Sequence, residues 1–588
     1  MWIIQCTIYL FLQTGSLVGL SDIGPIEPSD PLSFSQQNML NDFEFITNSF
    51  EICYGPSDWK KKFCNWDLNV EKQKIRNLIL PNPSLSEKDF HKIIKDFCLG
   101  MKDYHVIPQF YSTESSRLPF QIQSFKDRFF ISYLDDPNSF PISVGDELLF
   151  FDGIPISDAL KEFRENEIGS NYLETDKALA EFYFTLRIGS LGHVVPKGEV
   201  QITYRNELSD TILSHHFQWS YEDELITNIK NIKNIKNQSS YKEIIPSLCK
   251  GLIPKKNILG NDDLKKQFET PHYRLMRTHR SDNGEPSDLL GARKSKIPPL
   301  GKLLWESKNQ DRFHAYLFLM DDLTIGGYIR IPSYSADGSY SVKEFADIIQ
   351  QFQKFSDVLV VDQTNNGGGN ILYLYALLGI LTDRELEIPM HSMKLKQQDV
   401  YLAIQRNYLL KMIKNDRDAW KQLGKTIEGL PVNLKLAQDW SSFYQFIIDQ
   451  WNSGKLVTDF CYLYGIERIA PNPKINYTKP MIVLTNALDF SCADFFPAIL
   501  QDNKRAKIMG TRTAGAGGYK DRISFPNLIG IEDIEFTGSF SLRPNGLPIE
   551  NLGVTPDIIY EVTYHDIQNN YVDYKQKILD EIGLLLSE

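Results

Sequence analysis

Long apolar runs are missing from most of this sequence. Beyond the first twenty of its 588 residues, no stretch approaches the roughly 18 uninterrupted apolar residues that span a membrane. Positive charge is also in short supply, since 63 lysines and arginines stand against 75 acidic residues, for a net charge of −12. Nucleic-acid binding needs a basic face that neutralises phosphates. We therefore expect neither membrane insertion of the mature chain nor binding to nucleic acid.

Cysteine is sparse, with seven in the whole chain. One of them, Cys6, belongs to the apolar N-terminal segment. The others are Cys53, Cys64, Cys98, Cys249, Cys461 and Cys492. Their spacing is neither short nor paired, as a disulfide framework or a structural zinc site would require. We expect buried thiols for the most part, and no metal ion or other cofactor.

The first twenty residues resemble a secretory signal. Two apolar runs, Trp2–Ile4 and Ile8–Leu12, precede small residues that end at Gly19. No lysine or arginine stands before the apolar part, so a buried N-terminal strand is the alternative. We predict a signal peptide over residues 1–19 and an exported protein.

A helix is the first clear element after this segment. Within Pro81–Gly100, Ser86 has the character of a cap, and apolar residues recur at helical spacing until Gly100 ends the pattern. His105 follows in a loop. An exposed histidine there suits a general base, because its ordinary pKa lies near neutrality. An ordinary structural histidine is the competing interpretation.

Short alternating strands are typical of the next hundred residues. The segment Ser143–Ile156 resembles the core motif of PDZ domains, with a buried strand at Glu147–Phe151 and an Asp152–Gly153 turn. Such domains bind extended peptides at a sheet edge. A generic hairpin is the alternative. Between Tyr221 and Leu300 periodicity is lost, which is typical of a linker or a functional flap.

An α/β pattern begins after Trp305. The buried strand Val358–Asp362 runs into a loop that contains Gly367, Gly368 and Gly369, and an apolar helix follows. Three glycines allow backbone amides to approach a ligand, which suits a phosphate cradle or an oxyanion hole. No Lys-Ser/Thr pair follows them, so an oxyanion hole is the better interpretation.

Ser491 lies between a predicted strand, Met481–Thr485, and a predicted helix. The amides and partial positive charge at a helix start stabilise a negative oxygen there. Ser491 is therefore either an ordinary helix cap or the nucleophile of an acyl-transfer reaction.

Four motifs occur in a fixed order after the PDZ-like segment. They are Asp362…Gly369, the Ser491 turn, Gly510…Gly517 and Gly553–Asp557. This series resembles the tail-specific, or C-terminal-processing, peptidases, and several motifs are similar to those of a chlamydial protease of that family. The resemblance implies a multidomain α/β protein with a crotonase-like (ClpP/crotonase) catalytic core, an inserted PDZ-like β-rich domain and an N-terminal helical segment.

The resemblance also implies a mechanism. The usual family lysine corresponds here to Ala516, so a Ser-Lys dyad is unavailable. Similarity to the chlamydial protease assigns Ser491 as nucleophile, His105 as base and Glu550 as the group that orients it. The oxyanion hole would use Cys492 together with Gly368 or Gly369. Asp103 is the alternative orienting group, Cys492 is the alternative nucleophile, and an ordinary surface glutamate is the alternative for Glu550.

From the same resemblance we expect a secreted serine endopeptidase. It would act on host proteins, form a homodimer, and arise from an inactive precursor that cuts itself between Lys236 and Gly291. The alternative is a catalytically silent peptide-binding protein on the same fold. The predicted organisation is a signal peptide (1–19), an N-terminal helical region with the catalytic histidine (20–108), a PDZ-like domain (109–222), a linker or inhibitory activation segment (223–300) and a catalytic core (301–588).

Overall fold

The computed structural model describes residues 31–169, 174–226, 290–335 and 338–587. The predicted signal peptide and most of the predicted linker lie outside these residues. None of the helices in the described ranges has both the length and the apolar character that a membrane crossing requires.

Four helices form the N-terminal region. They are α1 (Phe34–Cys53), α2 (Ser57–Cys64), α3 (Leu68–Ile79) and α4 (Glu87–Gly100), followed by strand β1 (Ile107–Phe110). The sequence indicates only α4 clearly, with Ser86 as its cap, and Ser86 Oγ does accept the N–H of Asp89 at 3.2 Å. The predicted cap at Ser86 and the predicted end at Gly100 are confirmed. Helices α2 and α3 bury few residues, so they lack the apolar periodicity that would announce them.

A β-rich region follows. Its strands are β2 (Ser115–Arg117), β3 (Phe120–Phe125), β4 (Arg128–Leu134), β5 (Glu147–Phe151), β6 (Ile154–Pro155), β7 (Leu186–Ile188), β8 (Glu199–Arg205), β9 (Ile212–Gln218) and β10 (Ser220–Glu222), and its helices are α5 (Ile156–Phe163) and α6 (Glu174–Phe184). Strands β3-β4-β5-β8-β9 form one sheet, with β6 paired to β5, and β10-β2-β7 form another. The predicted strand Glu147–Phe151 and the turn after it are confirmed.

The rest of the chain is an α/β unit. Its strands are β11 (Lys302–Glu306), β12 (Ala315–Leu319), β13 (Ile325–Arg330), β14 (Val358–Asp362), β15 (Leu386–Glu387), β16 (Met390–Met393), β17 (Thr426–Ile427), β18 (Leu430–Pro431), β19 (Arg468–Ile469), β20 (Met481–Thr485), β21 (Lys507–Gly510), β22 (Lys520–Ile523), β23 (Ile531–Thr537), β24 (Ser539–Leu542) and β25 (Ile558–Ile559). Its helices are α7 (Gly338–Phe355), α8 (Ile371–Ile380), α9 (Gln397–Lys411), α10 (Asp416–Leu423), α11 (Leu434–Asn452), α12 (Cys492–Asp502), α13 (Tyr564–Gln568) and α14 (Val572–Ser587).

A seven-stranded sheet organises this unit, in the order β11-β12-β13-β14-β20-β21-β25. Pairing is antiparallel from β11 to β13 and parallel from β13 to β25. Every residue of β14 and β20 is buried, as expected for parallel strands covered on both faces. The loops that follow β14, β20 and β21 therefore meet at the carboxyl edge of the sheet, where α/β proteins bind ligands.

The N-terminal region is joined to this unit by β-pairing. Strand β1 runs antiparallel to β23, with Ile107 opposite Glu535 and Pro108 opposite Ile534. Apolar residues of α1 and α4 share one core cluster with Ile531, Ile534 and Phe536 of β23. The loop between α4 and β1, which carries His105, is thereby fixed beside the α/β unit.

Candidate active site

Ser491 lies at the turn between β20 and α12, as the sequence predicts. Its backbone has φ 57° and ψ −114°, a left-handed conformation that costs a non-glycine residue about 1–3 kcal/mol and persists only where surrounding structure enforces it. A nucleophilic serine on a sharp strand-to-helix turn has the same kind of backbone strain. The Oγ atom is buried and has no hydrogen-bond partner among the described residues. The hydroxyl is therefore not used as a helix cap.

Asp494 anchors this turn. Its carboxylate accepts the backbone N–H of Ser491 at 2.7 Å, and those of Gly515 and Ala516 at 2.7 and 2.9 Å. Burial raises the pKa of Asp494 to about 6, and these hydrogen bonds oppose the rise. Asp494 was not among the predicted site residues, although Ser-x-x-Asp at the start of a helix is a recognisable capping pattern. One carboxylate thus ties the serine turn to the glycine-rich turn after β21.

The glycine loop after β14 lies against the same helix start. The N–H of Gly368 donates to Asn366 Oδ1 at 2.9 Å, so that amide is already used. A Cβ on Gly369, whose φ is +151°, would lie 2.0 Å from the carbonyl carbon of Tyr334, which excludes any other residue. No hydrogen bond from the amides of Gly369 or Cys492 occurs among the residues that the structure describes. Of the two predicted glycine donors, Gly369 is the one with an amide left to offer.

Cys492 does not resemble a nucleophile. Its Sγ is buried and donates to the carbonyl oxygen of Gly369 at 3.4 Å. Burial raises the pKa of this thiol far above its usual value, so the thiolate that would attack a substrate is absent near neutral pH.

Among the described residues, no group of three or more His, Cys, Asp and Glu side chains could hold a metal ion.

His105 is fully buried, so the expectation of an exposed histidine is wrong. Burial lowers its pKa to about 4, which leaves the imidazole neutral and able to accept a proton at neutral pH. Neither ring nitrogen has a hydrogen-bond partner in the described ranges. The neighbouring Tyr104 ring contacts Phe490 edge to face, with centroids 5.8 Å apart, so the histidine loop packs beside the serine turn.

Asp103 is occupied by other partners. One carboxylate oxygen accepts the backbone N–H of His105 at 2.9 Å, and the carboxylate also accepts the hydroxyls of Tyr54 and Thr537, each at 2.9 Å. It fixes the backbone of the loop and makes no hydrogen bond with the imidazole. The negative charge of Asp103 nevertheless acts on the imidazole and raises its pKa, so Asp103 stays the alternative orienting group.

Glu550 is buried, and the surface-glutamate interpretation is wrong. Its Oε2 accepts the N–H of Gly517 at 3.0 Å, and its Oε1 forms an ion pair with Lys60 of α2. Burial, followed by the negative charge of Asp103, raises the pKa of Glu550 to about 8, while Lys60 lowers it. Lys60 is not predicted from the sequence, because no local pattern distinguishes a single buried lysine in a short polar helix from an exposed one.

These contacts bring the three predicted catalytic residues onto adjoining loops. Ser491 is linked to the glycine-rich turn through Asp494, and Glu550 is linked to that turn through Gly517. In the described part of the chain, no hydrogen bond joins His105 to either Ser491 or Glu550. The arrangement supplies an uncommitted hydroxyl, an uncommitted neutral imidazole and two free amides within one buried region.

Comparison with known proteins gives this arrangement a family. The PDZ domain model matches residues 114–230, and the peptidase family S41 model matches residues 326–560. A protein of Chlamydia muridarum is 35% identical over 575 residues, which is 94% of this chain and 93% of that protein. A Chlamydia trachomatis protein is 35% identical over 92% of both chains. The chain belongs to peptidase family S41.

Solved structures refine the relationship. Mature chlamydial protease-like activity factor (CPAF) matches with a TM-score of 0.80 and 33% identity, over 94% of this chain and 98% of that one. A mutant of CPAF matches with a TM-score of 0.82 and 32% identity, over 95% and 99%, and mature CPAF has also been solved in complex with lactacystin. The predicted resemblance is confirmed. This S41 member is a serine peptidase with a PDZ domain and N-terminal helices, and its substrates are proteins or peptides.

Proposed function

We propose that this S41 peptidase is a secreted endopeptidase that uses Ser491, His105 and Glu550 as its catalytic triad. The observation that carries the proposal is the strained turn at Ser491. Its hydroxyl has no partner among the described residues, and it stands at the start of α12 beside the unused amides of Cys492 and Gly369. Such strain is costly and clusters at functional sites.

The reaction follows from these groups. His105 takes the proton of Ser491 Oγ as the oxygen attacks the peptide carbonyl. The amides of Cys492 and Gly369 hold the negative oxygen of the tetrahedral intermediate. His105 then donates its proton to the leaving amine, water attacks the acyl-enzyme, and Ser491 is regenerated. Glu550 stabilises the imidazolium that forms in both halves of the reaction.

Burial of the site supports an inactive precursor. Ser491, His105 and Glu550 have no exposed surface, so a substrate polypeptide cannot reach the hydroxyl in this conformation. Activation must open the site and bring the three side chains into hydrogen-bond range. We place the activating self-cleavage between Lys236 and Gly291, which falls almost wholly on residues outside those described.

The same proposal covers the fold class, the export, the substrates and the oligomeric state of the protein. We propose a crotonase-like catalytic core, the domain limits given above, a signal peptide over 1–19, export of the mature chain and its onward passage into a host cell. Resemblance to CPAF supports host proteins as substrates and a homodimer as the active form. The mature chain would neither enter a membrane nor bind nucleic acid.

A peptide-binding protein without activity is the second candidate. A cavity of about 250 Å³ lies between β3, α6 and the Asn486–Leu488 segment that precedes the serine turn. This cavity and the PDZ match suit an extended peptide. The unused hydroxyl and imidazole favour catalysis, because binding alone requires neither.

Self-cleavage tests the proposal directly. The chain from Leu20 is expressed beside a Ser491→Ala variant, and both are followed by intact mass and by digestion of an unfolded protein. Fragments from the native chain alone, with a cut between Lys236 and Gly291, are the expected result. Two intact chains, neither of which digests the substrate, would overturn the peptidase proposal and favour peptide binding.

A further inference from the structure

Lys60 occupies an unusual place for a lysine. It is the one residue of α2 that is buried, and its side chain has no exposed surface. Its Nζ donates to three oxygens, which are Glu550 Oε1, Asn551 Oδ1 at 2.7 Å and the carbonyl of Lys102 at 3.0 Å. An ammonium group with three donors is fully satisfied by this set.

Stability alone does not account for this burial. Removing a lysine and a glutamate from water carries a large desolvation penalty. Well-packed apolar residues in their place often stabilise a fold as much as the buried ion pair does. The pair therefore calls for a role beyond packing. One partner, Glu550, is the carboxylate to which we give a part in catalysis.

The contacts around Lys60 join the loop that carries His105 to the loop that carries Glu550. Asn551 Nδ2 donates to the carbonyl of Lys102, and Trp59 Nε1 donates to Asn551 Oδ1 at 3.0 Å. Lys102 begins the loop that leads to His105, and Asn551 directly follows Glu550. Lys60 thus lies at the junction between the histidine loop and the glutamate loop.

We infer that Lys60 is a positioning residue for catalysis, which favours the ionised form of Glu550 and fixes its Oε1 at the junction of these loops. The inference rests on the proposed triad. Glu550 can stabilise the imidazolium of His105 only as a carboxylate, and burial works against its ionisation. Lys60 supplies the positive charge that opposes this effect.

Other charged groups around the pair do not replace Lys60. Asp103, whose carboxylate accepts the Tyr54 hydroxyl, is negative and disfavours ionisation of Glu550. Lys520 and Lys60 both lower the pKa of His105, and Lys520 forms its own ion pair with Glu535 at 3.0 Å. Cys64 hydrogen-bonds to the carbonyl of Lys60 and carries no positive charge. Without Lys60, the buried carboxylates of Asp103 and Glu550 would lie close together with no lysine paired to either.

The test is the pH dependence of kcat/KM for an unfolded protein substrate, together with the rate of self-cleavage. In Lys60→Met, the pH at which activity reaches half its maximum should rise by about one unit or more. Lys60→Arg keeps the charge and should hold that midpoint near the native value, even if the rate falls. Lys95→Met is the matched control, since Lys95 also makes a buried ion pair, with Glu167 at 2.5 Å; its midpoint should not move.

A second comparison applies if Lys60→Met fails to fold. Glu550→Gln removes the carboxylate, and Glu550→Gln/Lys60→Met removes its ammonium partner as well, so neither ion of the pair is left without the other. Lys60 also lowers the pKa of His105, so the midpoints of these two variants should differ slightly, by well under about one pH unit. An unshifted midpoint in folded Lys60→Met, a rise in its activity, or a difference of about one pH unit or more between Glu550→Gln and the double variant would overturn the inference. An inactive native chain would instead overturn the proposed function itself.

Discussion

The carboxylate of Asp494 accepts the backbone N–H of Ser491 at 2.7 Å and leaves the serine hydroxyl without a partner among the described residues. The ordinary capping arrangement is thus only half formed. In a full capping box the serine oxygen would itself accept an amide of the first helical turn. The half-formed cap holds the strained backbone while it leaves the oxygen free to react.

We expect Asp494→Asn to weaken both the fold and the activity. Each carboxylate oxygen of Asp494 accepts at least one backbone N–H, and one oxygen also accepts the hydroxyl of Thr513. In either orientation, the amide nitrogen of asparagine would therefore face a backbone N–H, with which it cannot form a hydrogen bond. Lost charge-assisted hydrogen bonds predict a fall of about 3 kcal/mol in the free energy of unfolding. Guanidinium unfolding in a Ser491→Ala background measures it.

Asp502→Asn is the matched control for this change. Asp502 ends the same helix and pairs with Arg543 at 2.7 Å, at the opposite end of the helix from Ser491. Its replacement should cost stability without a change in turnover. A native-like turnover number in Asp494→Asn would contradict the role given to the half-formed cap.

The backbone strain at Ser491 gives a second prediction. Ser491→Ala and Ser491→Gly both remove the nucleophile and should abolish self-cleavage. Only glycine relieves the left-handed φ of 57°. We expect Ser491→Gly to be the more stable of the two by about 1 kcal/mol, since relief of strain exceeds the added freedom of its unfolded chain. Thermal and guanidinium melts of the two inactive chains compare them; a less stable glycine variant would show that the turn is unstrained.

Gly369→Ala tests the amide that we assign to the oxyanion hole. A methyl group there would lie 2.0 Å from the Tyr334 carbonyl carbon, so the loop must move and its amide must turn away. Loss of one oxyanion donor predicts a fall of about 10²–10³ in kcat, with a smaller change in KM. Gly454→Ala is the control, because Gly454 also has a positive φ but nothing lies within 4 Å of its added Cβ. An equal loss of kcat in both variants would argue against the assignment.

Local patterns account for the parts of this structure that the sequence predicts well. Strands β14 and β20 have the predicted limits, because a run of branched apolar residues between turn signals depends on nothing distant. The turn at Ser491 is predicted for the same reason, because it lies between a recognisable strand and a recognisable helix. His105 was expected in a loop, and it lies in one.

Distant contacts account for what was missed. Lys60 and Glu550 are 490 positions apart, and no local spacing reports such a pair. The burial of His105 depends on β23 and on the N-terminal helices, which cover its loop only in the folded chain. Helix α2 escaped notice for a related reason, because its one buried side chain is a lysine. Sequence motifs therefore identified the proposed catalytic groups, while the groups that surround them required the structure.

The depressed pKa of His105 predicts an acid-sensitive fold. Its folded pKa is about 4, below the ordinary 6.5, so the unfolded chain binds the extra proton between these values. The contribution of neutral His105 to stability is therefore complete above pH 6.5 and is lost as the pH falls toward 4. At pH 5 the loss amounts to about 2 kcal/mol.

His105→Gln should remove this part of the acid sensitivity. We expect the free energy of unfolding of Ser491→Ala to fall between pH 7 and pH 5 by about 2 kcal/mol more than that of the Ser491→Ala/His105→Gln chain. His216→Gln is the control, since the His216 side chain on β9 is 59% exposed, and its replacement should leave the acid sensitivity of the Ser491→Ala chain unchanged. Guanidinium titrations at both pH values give the difference. Parallel losses in all three chains would mean that His105 is hydrated in solution, and a site open to water would remove the burial on which the inactive-precursor proposal depends.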